Sequence, residues 1–528
     1  MISRSRQGYA LFSVAETHRI VEFAHACMQV GWTIVASEPP LSTLRAAGIP
    51  AVDVADFVGV DASRYPFPPT LHPKIEWALT DASADIRLEL VYDIPYGPAL
   101  GNDVGGHTLL GLAAKGNRLP VATVTDMEQV ARALGTTGTV PADLRQALID
   151  AANLRVMRHY ASLVPNGPDH QVIVAHTPRT LLNGENPYQV PAVLLDDGSG
   201  DPLGLVACRQ VLGNPPCLTN LADADSLIST LVRLSAGFRC LQDGVPFLAI
   251  AAKHGNPCGI GWHRKDPLTA IRRALWANPG AIWGGEVAVN FPLDTACAEA
   301  LFADPRRAKS FGSERWMLDV VLAPDADAGA CNQLGQRRLT KLFLNDRLAD
   351  PDKVPHPSWQ GRLVRGGLLR QPPADYVLDL ATAEVDGSWP DTPTQEAMVI
   401  AWAAAFSSNQ GGNEVALACP GALLAVGGGP ATVEAAELAV LRARRAVANL
   451  NIAENTADIH ALDATGMVFA ADAFFPFTDG PEILTRAGCR HGVVPSGGMR
   501  FDVVRTFLRD QSVGMVYLDE RYRGFCRH

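Results

Sequence analysis

A lysine and a histidine stand side by side in Ala251–Gly259 (AAKHGNPCG), the segment whose residue types and spacing best suit chemistry. An apolar strand predicted over Phe247–Ala252 leads into Lys253 and His254, and the glycines, asparagine and proline that follow predict an immediate turn. Because α/β proteins bind ligands at the ends of parallel strands, we expect the pair to face a ligand. An ammonium group and an imidazole can donate and accept protons near neutral pH. The segment alone is equally well explained as an exposed strand end with two incidental polar residues.

The spacing around this histidine disfavours a zinc site of the deaminase kind. Such a site needs a Cys-x-x-Cys pair and a glutamate two residues after the histidine. Here Asn256 stands where the glutamate would be, and Gly261 stands where the second cysteine would follow Cys258. We therefore expect no zinc at this segment.

Two other segments carry weaker signals. Ala425–Pro430 (AVGGGP) precedes a predicted helix but lacks the glycine spacing and the lysine of a phosphate-binding loop, which favours a tight strand-to-helix turn. Ala471–Gly480 (ADAFFPFTDG) places three phenylalanines around Pro476, with acidic residues on both sides. Aromatic residues at this density are typical of a core, and they would also suit a half-apolar binding wall for a flat heteroaromatic ligand.

The elements that must position these residues follow an α/β pattern. In the first 165 residues, strand-like and helix-like segments alternate, which favours a parallel sheet. Ser162–Gln171 is rich in turn-forming residues and is the predicted domain boundary. A second α/β pattern runs from Val172 to the end, with an alanine-rich helix predicted over Thr432–Leu450. The turn-rich stretch Arg370–Pro393 is predicted to join two halves of this larger region.

Length and composition indicate a metabolic protein of several domains. A chain of 528 residues is too long for one ordinary core. We find no signal peptide and no apolar run long enough to span a membrane, and ten sparse cysteines fit reduced thiols, so we expect a cytoplasmic protein. A net charge of −10 without a basic stripe argues against a nucleic-acid partner.

Nine segments together resemble one family, the bifunctional purine-biosynthesis enzymes that combine AICAR transformylase with IMP cyclohydrolase. In the family's order they are GENPYQ (Gly184–Gln189), KHGNPCG (Lys253–Gly259), WGGEVAVN (Trp283–Asn290), VVLAPD (Val320–Asp325), VRGGLLRQ (Val364–Gln371), SSN (Ser407–Asn409), DAFFPFTDGPE (Asp472–Glu482), PSGG (Pro495–Gly498) and a terminal Arg-His. The first 165 residues match much less well than the rest.

The resemblance implies a fold, a co-substrate and an assembly. Residues 1–165 would form a methylglyoxal-synthase-like parallel-sheet domain, a degenerate cyclohydrolase domain in this chain. Residues 172–370 and 371–528 would form two cytidine-deaminase-like α/β subdomains without zinc. The formyl donor would be 10-formyltetrahydrofolate, and the active sites would lie at the interface of a homodimer. The resemblance leaves a structural potassium ion open.

The resemblance also assigns roles to individual residues. His254 would take the proton of the attacking amine, Lys253 would protonate the leaving nitrogen or stabilise the oxyanion, and Asn409 would hold the formyl group. The residues that match folate-binding or substrate-binding positions of the family are Asp325 for the pterin, Phe474 and Pro476 for the wall between the two substrates, Gly284, Asp479 and Asn186, and Arg523 and His528 in the tail, with Arg523 on the nucleotide phosphate.

The chain departs from the family where the acceptor's phosphate would bind. The family's arginine and tyrosine before Gly-Glu-Asn-Pro are Leu182 and Asn183 here, and a second family arginine is lost within Pro430–Val433. A buried phosphate depends on charge-assisted hydrogen bonds, so losing one costs a few kcal/mol of binding unless another cation, such as Arg179, replaces it. The amine acceptor is therefore expected to differ from AICAR and to lack a phosphate.

The N-terminal region departs further. The family's phosphate-cradling Ser-Thr-Gly-Gly-Thr aligns with Ser37–Leu41 (SEPPL), which brings a carboxylate and two prolines to a place that needs backbone N–H donors. The cyclohydrolase lysine is Pro69 and its tyrosine is Ile94, whereas Asp103 and Lys115 persist. We expect this domain to have lost cyclohydrolase activity and to serve as a scaffold, dimer surface or lid.

Three functions are compatible with these residues. The first is a formyltransferase that uses 10-formyltetrahydrofolate with an altered, AICAR-like amine acceptor. The second is a genuine AICAR transformylase of purine synthesis that compensates with Arg179 or another arginine. The third is a non-catalytic descendant that binds folate or a partner. Retention of both Lys253 and His254 favours the enzymes over the third.

Overall fold

The computed structural model describes residues 8–65, 67–81, 83–96, 103–164, 172–241, 244–454 and 466–524. The chain divides into two compact units, Met1–Ala175 and His176–His528. Each unit has its own sheet and its own hydrophobic core.

The first unit is a five-stranded parallel sheet with helices on both faces. Its elements are β1 (Gly8–Phe12), α1 (Ile20–Gln29), β2 (Thr33–Ala36), α2 (Pro40–Ala46), β3 (Ala51–Asp53), α3 (Val54–Val58), α4 (Pro73–Thr80), β4 (Arg87–Tyr92), α5 (Val104–Lys115), β5 (Leu119–Val121), α6 (Val124–Thr137) and α7 (Ala142–Leu163). The strand order is β3-β2-β1-β4-β5, and every neighbouring pair is parallel. The predicted alternation of strands and helices and the parallel sheet are confirmed here.

The second unit is built on one twelve-stranded mixed sheet. Before its middle it contains β6 (His176–Leu181), β7 (Ala192–Asp196), β8 (Arg209–Leu212), α8 (Leu218–Cys240), β9 (Phe247–Lys253), β10 (Asn256–His263), α9 (Pro267–Ala277), β11 (Glu286–Val289), α10 (Thr295–Phe302), α11 (Arg307–Phe311), β12 (Val320–Ala323), α12 (Ala328–Gly335), β13 (Lys341–Leu344), β14 (Gln360–Val364) and β15 (Gly367–Gln371). After it come β16 (Glu384–Asp386), α13 (Thr392–Ser407), β17 (Asn413–Cys419), β18 (Ala422–Gly429), α14 (Thr432–Glu454), β19 (Val468–Ala471), α15 (Asp479–Arg486), β20 (His491–Pro495), α16 (Phe501–Asp510) and β21 (Gly514–Leu518).

The large sheet repeats one arrangement twice, although no repeat is visible in the sequence. Its order is β16-β21-β20-β19-β17-β18-β10-β9-β11-β12-β13-β8. Counted outward from the central β18–β10 pair, the strands on the two sides follow one another in the same relative order along the chain. In each half a long helix precedes an antiparallel hairpin, a helix follows it, and three parallel strands continue the sheet. The two halves meet where Gly261 pairs with Ala422. A division of this unit at residue 370 stays a prediction.

Helices cover both faces of this sheet. The helices that precede the hairpins, α8 and α13, pack on one face, and α13 is apolar all round and buried over most of its length. The helices that follow the hairpins, α9 and α14, pack on the other face. They approach closely because glycines face them: a Cβ atom on Gly259 would lie 2.0 Å from the Ala274 carbonyl oxygen, and one on Gly427 would lie 2.2 Å from that of Ala435.

Within the described ranges, no helix combines the length and the apolar character that crossing a membrane requires. The predicted helix over Thr432–Leu450 is confirmed as α14, and the predicted strand over Phe247–Ala252 is confirmed as β9.

Candidate active site

Lys253 and His254 lie at the tip of the β9–β10 hairpin. Lys253 pairs with Asn256 across a loop of two residues, His254 and Gly255, whose φ angles are 54° and 69°. Positive φ at both positions is typical of the tight turn whose twist matches that of a hairpin. Histidine tolerates this conformation better than most residues with a side chain, and its side chain is exposed at the tip.

The expectation that this pair ends a parallel strand is wrong. β9 is antiparallel to both of its neighbours, β10 and β11. Because Ala252 pairs with Glu286, and Glu286 pairs with Val320, the β9 tip lies beside the first residues of β11 and β12. The turn that the glycines and the asparagine predicted is present, so the pair still lies at an edge of the sheet. We call this edge, which carries the β9–β10 turn, the hairpin edge.

Lys253 is half-buried and held by the segment that follows Trp283. Its ammonium group donates a hydrogen bond to the Gly284 carbonyl oxygen. A Cβ atom on Gly284 would lie 3.2 Å from Lys253 Nζ and 3.6 Å from Asp319 Oδ2, so a carboxylate borders the ammonium group. Gly284 has a φ of 70°, which favours glycine, and the absence of a side chain leaves room for the lysine. Gly284 is thus brought to Lys253 as the resemblance implied.

Asn256 ties the hairpin tip to the loop that carries Asn409. Its side-chain nitrogen donates to the His254 carbonyl oxygen at 2.9 Å, and its Oδ1 accepts from the Asn409 backbone N–H at 2.7 Å. The Asn409 side chain is exposed beside the turn. The structure therefore brings the loop that carries Asn409 to the turn that carries Lys253 and His254, three residues that the resemblance assigns to one site.

Buried carboxyl groups hold the Asn409 loop in place. Glu414 accepts hydrogen bonds from the backbone N–H groups of Gln410, at 2.5 Å, and Gly411, at 3.0 Å. Its own N–H donates to Asp472 at 3.1 Å. Burial raises the pKa of Asp472 to about 7 and raises the pKa of Glu414 above its ordinary value. This pair links the loop before β17 to the end of β19.

Phe474, Pro476, Asp479 and Arg523 also lie at the hairpin edge, but farther along it. They follow the carboxyl ends of β19 and β21, and β19 is separated from β9 by three strands in the sheet order. The Arg523 guanidinium lies 5.8 Å from the centre of the Phe474 ring and forms an ion pair with Glu520 at 2.9 Å. With strands spaced about 4.8 Å apart, the aromatic wall lies roughly 20 Å along the edge from Lys253.

Asp325 lies at the opposite edge of the sheet. β12 begins at the hairpin edge, where Val320 pairs with Glu286, and Asp325 follows its far end, where its carbonyl oxygen accepts from the Leu293 N–H. Within one chain the structure therefore does not bring Asp325 to Lys253.

The segment Gly184–Gln189 precedes α8, which begins at the hairpin edge. There the Asn186 backbone and side-chain nitrogens both donate to Gln189 Oε1, at 2.8 and 2.9 Å. His528 lies outside the described residues.

Arg179, the cation suggested from the sequence as a replacement phosphate ligand, packs against the large sheet. Its guanidinium lies over the Phe343 ring, 5.7 Å from the centre, and donates to the Cys208 carbonyl oxygen at 3.3 Å. These contacts hold the side chain against the sheet instead of beside Leu182 and Asn183. Leu182 itself is 54% exposed, so an apolar surface stands where a phosphate ligand would be needed.

In the first unit, carboxylates occupy the ends of two helices. Glu38 accepts from both the N–H and the hydroxyl of Ser42 at the start of α2, and Asp103 accepts from the Gly106 N–H at the start of α5. Near Asp103, burial first and the Asp103 charge second raise the pKa of Asp93 to about 7. An anion approaching either helix would meet negative charge instead of free N–H groups.

Metal ligands do not converge in the described part of the chain: no group of three or more His, Cys, Asp or Glu side chains there could hold a metal ion. The expected absence of zinc stays a prediction.

Sequence reasoning missed the residues that support Lys253 and Asn409. From the sequence, Asn256 is assigned only to the predicted turn and to the failed zinc pattern, and no role is given to Glu286 or Asp223. The signal for Glu286 was present: it is the single charged residue in the apolar strand β11, EVAV, all of which is buried. Asp223 could not have been found, because only the fold brings α8 to the hairpin.

Comparisons with known proteins place this geometry in one family. The family described as AICARFT/IMPCHase bienzyme matches residues 113–442. The bifunctional purine biosynthesis protein PurH of Bradyrhizobium diazoefficiens is 27% identical, over 97% of this chain and 98% of its own. PurH of Roseobacter denitrificans is 29% identical over the same shares. The solved structure of ForH is 24% identical with a TM-score of 0.26, covering 30% of this chain and 96% of its own, and at that TM-score it says nothing about the arrangement here.

Proposed function

The chain belongs to the AICARFT/IMPCHase bienzyme family, and from that premise we propose that it is a folate-dependent N-formyltransferase. It moves the formyl group of 10-formyltetrahydrofolate to an amine of a small, AICAR-like heteroaromatic acceptor. The observation that carries the proposal is the hairpin tip, where an ammonium group and an exposed imidazole lie beside the loop that carries Asn409.

The chemistry needs one group to accept a proton, one to donate a proton and one to bind the oxyanion. An amine conjugated with a heteroaromatic ring is a poor nucleophile, so His254 accepts its proton as the new carbon–nitrogen bond forms. Lys253 donates a proton to the folate nitrogen as the old carbon–nitrogen bond breaks, and the Asn409 amide donates to the formyl oxygen, where negative charge develops. The products are the formylated amine and tetrahydrofolate.

The acceptor we propose has no phosphate. Leu182 and Asn183 offer no cation at the place where the family holds the ribose phosphate, and Arg179 is held against Phe343. The test compares formylation of AICAR with that of its phosphate-free nucleoside. We expect kcat/KM for the nucleoside to equal or exceed that for the nucleotide. A strong preference for the nucleotide would instead support a genuine AICAR transformylase.

One observation favours that second candidate. The Arg523 guanidinium beside Phe474 leaves a cation at the aromatic wall, where it can meet an acceptor phosphate. If it does so, Arg523→Ala weakens binding of the nucleotide and leaves binding of the nucleoside unchanged. An equal effect on both acceptors would assign Arg523 to packing against Phe474.

We also propose that two copies of the chain complete each site. The support is the position of Asp325 at the far edge of the sheet, together with large apolar side chains exposed at the hairpin edge, among them Tyr188, Trp283 and Phe477. Monomeric proteins rarely expose such surface in one region. Mixing Lys253→Ala with Asp325→Ala subunits under exchange conditions should restore activity that neither variant has alone. If the mixture stays inactive, Asp325 does not serve the site of a partner.

For the first unit we propose that cyclohydrolase activity has been lost. Glu38 and Asp103 fill helix ends with carboxylates, and Pro69 stands in place of the catalytic lysine of the family. Incubation of the protein with formyl-AICAR tests this directly. We expect no ring closure above the buffer rate.

A further inference from the structure

A glutamate is buried directly beside the catalytic lysine and has no part in the chemistry above. Glu286, the first residue of β11, pairs with Ala252, the neighbour of Lys253, and only 2% of its surface is exposed. Its Oε2 atom is buried without a hydrogen-bond partner among the described residues. Burying an ionised carboxylate in this way is costly unless a proton or a cation neutralises it.

The other member of the arrangement is Asp223 on α8. Asp223 lies close enough to Glu286 to raise the pKa of the Glu286 carboxyl group. Asp223 also borders the catalytic turn, because a Cβ atom built on Gly255 would lie 3.5 Å from its Oδ1 and 2.8 Å from Ser226 Oγ. Asp223 therefore lies against the hairpin tip on the side of the sheet that α8 covers.

The charges around the pair decide its protonation state. The titratable groups that act on Glu286 come from several elements: Asp223 on α8, Lys253 on β9, Cys258 on β10, Asp319 before β12 and Lys341 on β13. Asp319 is itself neutralised by Arg337, at 2.9 Å. Burial first, and the Asp223 charge second, hold the pKa of Glu286 well above its ordinary value. Two neighbouring carboxyl groups in such a buried site do not both ionise, so they keep one proton between them.

We propose that Glu286 is a positioning residue of the formyltransferase site: with Asp223 it forms a carboxyl pair that holds one proton, and the single negative charge of the pair directs the Lys253 ammonium group at the hairpin tip. This inference rests on the proposed function, since it concerns how Lys253 is prepared for proton donation. It adds two residues, far apart in sequence, to the catalytic arrangement.

The kinetic test uses two substitutions of similar size. Glu286→Gln keeps a neutral partner that donates to Asp223, so we expect kcat at pH 7 within about threefold of the parent enzyme. Glu286→Leu removes that donor, after which Asp223 takes up the proton itself and Lys253 loses its counter-charge. We then expect kcat to fall about tenfold or more, with KM for both substrates nearly unchanged, since the lysine is misdirected but binding surfaces remain.

A spectroscopic test separates this inference from the proposed function. The difference between the infrared spectra of the full-length parent protein and the Glu286→Gln variant at pH 7 should contain the carbonyl band of a protonated carboxylic acid, because the protonated fractions of Asp93 and Asp472 are common to both spectra and cancel. Absence of this band in an active enzyme would overturn the carboxyl pair alone. A band without any formyl transfer would sink the proposed function and leave the pair standing. Equal kcat in the Gln and Leu variants, or equal loss in both, would also overturn the positioning role, and a Leu variant that fails to fold leaves the Gln variant and the band as the test.

Discussion

Replacing Gly255 by alanine tests whether the hairpin tip is packed as tightly as the structure indicates. Gly255 has a φ of 69°, and an added Cβ atom would lie 2.8 Å from the Ser226 hydroxyl oxygen on α8. Two costs therefore add. Left-handed backbone costs alanine about 1–2 kcal/mol, and forcing a methyl group into a packed site costs about 1–3 kcal/mol. We expect Gly255→Ala to lower the free energy of unfolding of the second unit by about 2–5 kcal/mol.

Gly312 provides a matched control in the same unit. It follows α11 with the same φ of 69°, and an added Cβ atom would meet nothing within 4 Å. Gly312→Ala therefore carries the backbone cost alone, about 1–2 kcal/mol. The difference between the two variants isolates the contact between the turn and α8.

Urea unfolding followed by tryptophan fluorescence measures both variants, and hydrogen exchange over β9 and β10 shows whether the loss is local. We expect the Gly255→Ala midpoint to lie clearly below that of Gly312→Ala, with formyl transfer reduced only in the former. Equal midpoints would refute the reasoning, because the turn would then have room that the structure does not give it.

Three further predictions follow from the same site. Lys253→Ala and His254→Ala should each lower turnover by about 10² or more, as for a positioned acid or base, and turnover like that of the parent enzyme in either variant would remove that residue from the mechanism. Asn256→Ala should lower kcat about tenfold without unfolding the hairpin, because it frees the Asn409 loop; an unchanged kcat would show that this tie is dispensable. Asp472 binds its proton more tightly in the folded state, so its contribution to the free energy of unfolding should be lost as pH rises from about 4 to 7. Asp472→Asn should reduce the fall of that free energy with pH by up to about 1.4 kcal/mol per pH unit. Parallel profiles of unfolding free energy against pH in the two proteins would contradict the raised pKa.

The elements of the fold were largely predictable because they depend on local pattern. The alternating strands and helices before residue 165 and the strand before Lys253 follow from periodicity and glycine punctuation. The direction of β9 was predicted wrongly for a physical reason: apolar strands buried on both faces look alike whether their neighbours are parallel or antiparallel. The structure shows that the residues after β9 form the two-residue turn of a hairpin, with His254 and Gly255 at positive φ.

The identity of the site residues was predictable from motifs along the chain, but their contacts in space were not. Lys253, His254 and Asn409 come together because Asn256 bonds to a loop 153 residues away, and Gly284 approaches because β11 pairs with β9. Long-range contacts of this kind leave no local pattern. The twofold arrangement of the large sheet was also hidden, since the two halves share an order of elements and not a sequence.

The twofold arrangement places one hairpin turn at each edge of the large sheet. At the hairpin edge, Lys253 and His254 occupy the β9–β10 turn, whereas the equivalent β17–β18 turn at the other edge is Pro420 and Gly421. Proline and glycine carry no acid or base. The duplicated frame therefore provides two equivalent turns, and of the two only the β9–β10 turn carries side chains that can donate or accept protons.

The most direct test of formyl transfer is the release of tetrahydrofolate. The purified full-length protein is mixed with 10-formyltetrahydrofolate and a panel of heteroaromatic amines that includes AICAR and its nucleoside, with the Lys253→Ala variant in parallel. We predict release that depends on both an acceptor and Lys253. Tight folate binding without release for any amine, or equal release by the variant, would contradict the account.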